Sequence, residues 1–107
     1  MPMSHKEMER LKHEIIEMID YNRDNWVKAA FFSDEVVEVI MESLYTKWAQ
    51  NGEIARPIDY ATEDELKILY KKAKYYSSLS TSEAMRISLK RIEAGSEEVQ
   101  RKPGDKP

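Results

Sequence analysis

The sequence predicts an all-α protein, a small bundle of about four helices followed by a disordered C-terminal tail. Apolar residues recur at the three- and four-residue spacing of amphipathic helices through most of residues 4–95. Residues that favour helix N-termini precede these segments, and the three glycines follow or lie outside them. Residues 96–107 contain one apolar side chain, which is too little to offset the entropy of ordering them. We therefore expect one helical domain over residues 1–95 and a disordered tail over residues 96–107.

The first predicted helix begins at Ser4 and continues to about Ala30. Its apolar stripe consists of Met8, Leu11, Ile15, Met18, Ile19, Trp26, Ala29 and Ala30. Asn22 falls on the same stripe. The run Tyr21–Asn25 also allows a break, with Asp24 as the N-cap of a new helix. We favour one continuous helix.

The second predicted helix is capped by Ser33 and ends at the Asn51–Gly52 pair. The residues expected on its buried face are Val37, Ile40, Met41, Leu44, Tyr45 and Trp48. Residues 53–61 are predicted to form a loop, because the proline that follows Arg56 disfavours a helical conformation there.

Two capping boxes mark the N-termini of the third and fourth predicted helices, Thr62 with Glu65 and Ser80 with Glu83. The residues expected to face the core are Leu66, Leu69, Tyr70, Ala73 and Tyr76 in the third helix and Met85, Leu89 and Ile92 in the fourth. Gly95 is predicted to end the fourth helix.

The composition excludes several classes of protein. The 107-residue chain has no cysteine, which excludes disulfides and thiolate metal sites. It has no apolar run of about 18 residues, the length needed to cross a bilayer, so we expect no membrane partner. The sequence contains no glycine-rich phosphate loop and no dinucleotide-binding motif. We expect a cytoplasmic protein without a cofactor.

The candidate metal ligands lie in the first predicted helix. His5, Glu9, His13 and Glu17 are spaced four residues apart, so neighbours share one helix face. This row lies roughly opposite the apolar stripe, and a solvated charged face explains it equally well. The serines between residues 77 and 82 have no suitable base nearby in the sequence. We therefore predict no metal site, no catalytic residues and a non-enzymatic protein.

Charge is distributed unevenly along the chain. The net charge is −3, but the segment from Leu66 to Ile92 holds seven basic residues and one acidic residue. Two helices joined by a short turn, with a basic outer face, have the outline of a helix-turn-helix over residues 62–95. The candidate nucleic-acid-binding residues are Lys71, Lys72, Arg86, Lys90 and Arg91.

Some large apolar residues fall outside the predicted core stripes. Apolar surface that a small core does not use favours a protein interface. The candidate interface residues are Val27, Phe31, Val39, Ile68 and Tyr75. The first hypothesis is therefore a non-enzymatic helical interaction or regulatory module that associates with itself, as a homodimer, or with another protein. The alternative is a small nucleic-acid-binding regulator that uses residues 62–95.

Overall fold

The computed structural model describes residues 2–100, with side chains described for residues 2–95, and the regular secondary structure of this part of the chain is all helical. Its elements are, in order, α1 (His5–Ile19), α2 (Asn25–Phe32), α3 (Glu35–Gln50), a 3-10 helix (Pro57–Tyr60), α4 (Glu63–Ser77) and α5 (Thr81–Gln100). The predicted all-α class is confirmed, with five α-helices in these residues where about four were expected.

The additional helix arises because the first predicted helix is broken after Ile19. The side-chain amide of Asn22 donates to the carbonyl oxygen of Met18 at 3.1 Å, and its side-chain oxygen accepts from the N–H of Asp24 at 2.8 Å. Asp24 then caps α2 by accepting from the N–H of Trp26 at 2.9 Å. The prediction of one continuous helix is wrong because these side chains offer the backbone a local alternative to helical hydrogen bonds.

Helix α3, which corresponds to the second predicted helix, begins one residue later than predicted, since Asp34 rather than Ser33 is its N-cap. The carboxylate of Asp34 accepts from the N–H groups of Val36 at 2.9 Å and Val37 at 3.1 Å. Ser33 is instead the C-cap of α2. The direct junction between the two helices leaves the Asp34 carboxylate buried. The predicted end of this helix is confirmed, with Asn51 as the C-cap.

A tight turn after α3 contains three residues with left-handed backbone conformation. The φ angles are 78° at Gly52, 60° at Glu53 and 66° at Ala55. Glycine adopts this conformation freely, whereas at Glu53 and Ala55 it destabilises the folded protein by about 1–2 kcal/mol for each residue. Two side-chain hydrogen bonds hold the turn in place. The indole N–H of Trp48 donates to the carbonyl oxygen of Ala55 at 2.9 Å, and the hydroxyl of Tyr60 donates to the carbonyl oxygen of Ile54 at 2.8 Å.

The core lies where the short helix α2 meets its neighbours. α1 packs mainly against α4, α2 contacts both α4 and α5, and the 3-10 helix lies on α3. The buried apolar residues are Leu11, Ile15, Ile19, Val27, Ala30, Phe31, Val37, Ile40, Leu44, Ala61, Leu66, Leu69, Ala73, Tyr76 and Ala84. The residues predicted to face inward from α1 to α4 are buried or half-buried, except Ala29 and Tyr45, which are exposed.

Helix α5 is packed through a different face from the one predicted. Ala84 and Ser88 are buried, and the Ser88 hydroxyl donates to the carbonyl oxygen of Trp26 in α2 at 3.4 Å. The three residues predicted to face the core are exposed instead, at 37% for Met85, 45% for Leu89 and 60% for Ile92. That prediction is wrong because the small side chains of Ala84 and Ser88 allow α5 to pack against α2. The spacing of large apolar residues does not indicate a contact of this kind.

Helix α5 also continues past Gly95, where the sequence predicted its end. A glycine ends a helix when it adopts a left-handed conformation. Among the described glycines only Gly52 has a positive φ, and Gly95 keeps the helical backbone at an exposed position. The predicted tail over residues 96–107 therefore begins in helical backbone that extends to Gln100. Residues 101–107 lie outside the described residues.

Candidate protein-interaction surface

A polar network joins α2, α3, α4 and α5 and fixes the position of α5. The hydroxyl of Tyr76 in α4 donates to the carboxylate of Asp34 at 2.6 Å and accepts from the guanidinium of Arg91 in α5 at 2.8 Å. Arg91 also donates to the carbonyl oxygen of Ala30 at 2.6 Å and to the hydroxyl of Ser33 at 3.0 Å. Four helices thus share one set of charge-assisted hydrogen bonds.

The electrostatics of the network favour a charged Asp34 and a neutral Tyr76. Burial by itself raises the pKa of the Asp34 carboxyl, but hydrogen bonds from Tyr76, the N–H of Val37 and Lys72 lower that pKa overall. Burial raises the pKa of the Tyr76 hydroxyl, against the opposing effect of Arg91. Among the described residues, each buried side-chain nitrogen or oxygen has a hydrogen-bond partner. The buried polar atoms of the network are therefore satisfied within the fold.

Two of the five predicted nucleic-acid-binding residues serve the fold. The ammonium group of Lys72 lies 3.0 Å from the Asp34 carboxylate, and Arg91 belongs to the polar network. α5 packs mainly on α2 rather than on α4, the other helix of the predicted helix-turn-helix. The three remaining basic residues are exposed: Lys71, Arg86 and Lys90.

The structure divides the five predicted interface residues into two groups. Val27 and Phe31 are each 2% exposed and lie in the core, so their placement on the outside is wrong. That placement assumed one continuous first helix, and the break at Asn22 changes which side of α2 faces the core. The other three are exposed, Val39 at 66% on α3 and, on α4, Ile68 at 39% and Tyr75 at 54%.

Helix α5 carries a straight row of exposed aliphatic side chains. Met85, Leu89 and Ile92 follow the i, i+4, i+7 spacing of one helix face and are named the α5 stripe here. Sequence reasoning found this row but assigned it to the core. A groove of about 260 Å³ at the Ile92 end separates α5 from α2 and α3, and its lining residues are Ala29, Ser33, Glu38, Ser88, Arg91 and Ile92.

A second apolar feature lies on another side of the molecule. A cleft of about 230 Å³ between α1, α2, α3 and the 3-10 helix is lined mainly by aliphatic and aromatic side chains. Its charged lining residues are Asp20 and Arg56, and both are exposed. Serine, threonine, histidine and lysine do not occur in this lining.

The histidine and glutamate row of the first helix forms local pairs. Nε2 of His13 lies 3.0 Å from the Glu17 carboxylate, and the ammonium group of Lys12 lies 2.7 Å from Glu9. Among the side chains described, those of residues 2–95, no group of three or more histidine, aspartate or glutamate side chains is placed to hold a metal ion.

Comparison with known proteins gives no assignment. No protein-family model, curated protein or solved structure significantly matches this chain. Among the described helices, none has both the length and the apolar character that crossing a bilayer requires. We therefore infer function from the surface of the chain itself.

Proposed function

We propose that this chain is a non-enzymatic helical protein-interaction module and that the α5 stripe is its contact surface. The observation that carries the proposal is the exposure of three aliphatic side chains in line on one helix face. Full burial of such a side chain contributes about 1.5–3 kcal/mol. The stripe residues are 37–60% exposed, so covering them adds about 3 kcal/mol in total. That gain supports a weak association to which polar contacts at the border then add.

The rest of the fold holds the stripe in a fixed orientation. The hydroxyl of Thr81, at the start of α5, donates to the carboxylate of Asp24 at 2.6 Å. Further along the helix, Arg91 donates to the carbonyl oxygen of Ala30. The first anchor contacts the N-cap of α2 and the second contacts α2 itself, and the stripe is centred roughly 100° around the helix axis from the buried Ala84. A surface fixed before binding loses less conformational entropy when a partner docks.

The other features of the molecule favour binding over catalysis. The cleft beside α1 is mainly apolar, and its two charged lining residues, Asp20 and Arg56, are exposed rather than buried in the cleft, where burial would shift the pKa of a titratable group. The partner we propose is therefore a protein, either a second copy of this chain or a different chain. We further propose a cytoplasmic location, in keeping with the absence of cysteine.

Site-specific photocrosslinking tests the contact surface. Benzoylphenylalanine would replace Leu89 in the full chain, with a control at Ile54, which is 69% exposed in the turn after α3. Irradiation of cells that contain each variant should give protein adducts from position 89, and the added substitution Ile92→Gln should reduce them. The proposal fails if position 89 yields no more adduct than position 54, or if Ile92→Gln leaves the adducts unchanged.

Nucleic-acid binding is the alternative function, and the exposure of Lys71, Arg86 and Lys90 favours it. Phosphate contacts by these residues would make binding weaken steeply as salt rises. Fluorescence anisotropy with labelled duplex and single-stranded oligonucleotides, at low and moderate salt, measures this directly. Lys90→Glu should then weaken binding more than Lys6→Glu, a charge reversal at an exposed position of α1. Absence of binding at low salt would remove the alternative.

A further inference from the structure

Two oppositely charged residues border the α5 stripe on the side away from α2. Arg86 and Glu93 are both exposed. At about 100° per residue, both lie roughly 180–200° around the helix from the buried Ala84. They are about two helical turns apart on the same border. The stripe therefore has a charged border on one side and α2 on the other.

The stripe and its border are self-complementary about Leu89. Met85 lies one turn before Leu89 and Ile92 lies one turn after it, while Arg86 and Glu93 are placed in the same way on the border. A two-fold axis that passes at Leu89, perpendicular to the helix, brings Met85 of one copy opposite Ile92 of the second. The same axis brings Arg86 opposite Glu93 on both sides of the pair.

We propose that a second copy of this chain covers the α5 stripe, with the two α5 helices antiparallel and crossing at Leu89. This inference rests on the proposed function and deepens it by naming the partner. Two symmetric ion pairs, each between Arg86 of one copy and Glu93 of the other, fix the direction of pairing. A parallel pair places each charged border beside the α2 flank of the other copy, where these ion pairs do not form.

The same two-fold axis fixes where the rest of each subunit lies. The residues of α5 that face its own bundle, Ala84, Ser88 and Arg91, are centred roughly 100° around the helix from the centre of the stripe. In an antiparallel pair related by the two-fold axis, both bundles therefore lie on the same side of the helix pair, opposite the charged borders.

The size of the contact sets its strength. A stable complex covers about 800 Å² on each partner, and one face of a single helix provides less. We therefore expect a weak dimer that forms only at high protein concentration. The two ion pairs are exposed to solvent, so each changes the association constant by about two- to fivefold.

Sedimentation equilibrium of the full chain up to about 1 mM tests the arrangement through charge reversal. Arg86→Glu alone, or Glu93→Arg alone, replaces two attractive contacts by two repulsive ones, so each variant should dimerise at least about tenfold more weakly. An equimolar mixture of the two variants restores both ion pairs in the heterodimer. The double variant restores them in the homodimer. Both should return to within about threefold of the wild-type association constant.

A matched pair of isoleucine variants completes the test. Ile92→Gln should weaken the dimer and Ile54→Gln should not, since both isoleucines are exposed but only Ile92 lies in the stripe. Charge variants that dimerise as well as wild type, or a mixture that shows no recovery, overturn the antiparallel pairing. A wild-type chain that stays monomeric at about 1 mM overturns self-association altogether. In that case crosslinks from position 89 to a different protein still support the proposed function, and their absence removes it as well.

Discussion

Replacing Tyr76 by phenylalanine tests whether the polar network holds α5 to the rest of the protein. The hydroxyl group that is lost joins the carboxylate of Asp34 to the guanidinium of Arg91, at 2.6 and 2.8 Å. The aromatic ring, which packs edge to face on Phe31 with 6.3 Å between centroids, remains in the variant. The substitution therefore changes the polar contacts and leaves the apolar packing in place.

The size of the effect follows from the bonds that are lost and those that remain. A hydrogen bond to a charged group contributes about 1.5–3 kcal/mol. Two such bonds disappear, but Asp34 keeps its contacts with Lys72 and with the backbone of α3, and Arg91 keeps those with Ala30 and Ser33. We expect the free energy of unfolding to fall by about 2 kcal/mol, a large part of the 5–15 kcal/mol typical of a domain.

The destabilisation of the phenylalanine variant should shrink at alkaline pH. Burial raises the pKa of the Tyr76 hydroxyl above its ordinary value of 10.0. For a group whose pKa is raised by folding, the contribution to stability is present below the unfolded pKa and is lost as pH rises through the folded pKa. Phenylalanine does not ionise, so the difference between wild type and variant should decrease above pH about 10.

Urea unfolding measures both effects, with Trp26 and Trp48 as fluorescent reporters. Tyr75→Phe is the matched control, because Tyr75 is the adjacent residue and is 54% exposed. Its free energy of unfolding should stay within about 0.5 kcal/mol of wild type. If Tyr76→Phe destabilises the protein no more than Tyr75→Phe does, the network does not stabilise α5 and the reasoning is refuted.

Four further substitutions test the local structure. Ala55→Gly should stabilise the protein by about 1 kcal/mol, because Ala55 has a φ of 66°, whereas Ala29→Gly in α2 should destabilise it by about 1 kcal/mol; urea unfolding that gives the same sign for both contradicts this. Asp59→Asn should reduce the loss of stability in acid, because hydrogen bonding with Arg56 lowers the pKa of the Asp59 carboxyl from 3.8 to about 2. The Asp59 carboxylate stabilises the protein above its unfolded pKa of 3.8, and this contribution is lost as pH falls towards 2. The difference in unfolding free energy between wild type and variant should therefore decrease over that range, and a constant difference would oppose the assignment. Asp24→Ala should destabilise by about 1–2 kcal/mol in thermal unfolding, because it removes the α2 cap and the bond from Thr81, and an unchanged midpoint would exclude both roles.

The parts of the fold that sequence predicted correctly depend on neighbouring residues. The capping boxes at Thr62 and Ser80 form as expected, since each is a set of hydrogen bonds within four residues of sequence. The break at Asn22 was missed although it is also local. Its position on the apolar stripe favoured a continuous helix, and its two side-chain hydrogen bonds outweigh that preference.

The candidate site depends on contacts that sequence does not reveal. Arg91 contacts Ala30 and Ser33, which lie about sixty residues earlier in the chain, and nothing in the helical spacing indicates this. A basic residue in a basic segment was instead assigned to a nucleic-acid surface. The signal that could have corrected the assignment is the run of small residues at Ala84 and Ser88, which shares a helix face with Arg91.

Helix α5 packs on the bundle through a different face from the one that its apolar residues predict. Hydrophobic spacing selects the face of Met85, Leu89 and Ile92 as the one to bury, yet the bundle buries Ala84 and Ser88. Sequence patterns and packing normally agree in a stable domain, and disagreement is expected at functional surfaces. Under the proposed function, the more apolar face of α5 is the one that contacts a partner. A partner on the α5 stripe removes the conflict, because both faces of the helix are then covered.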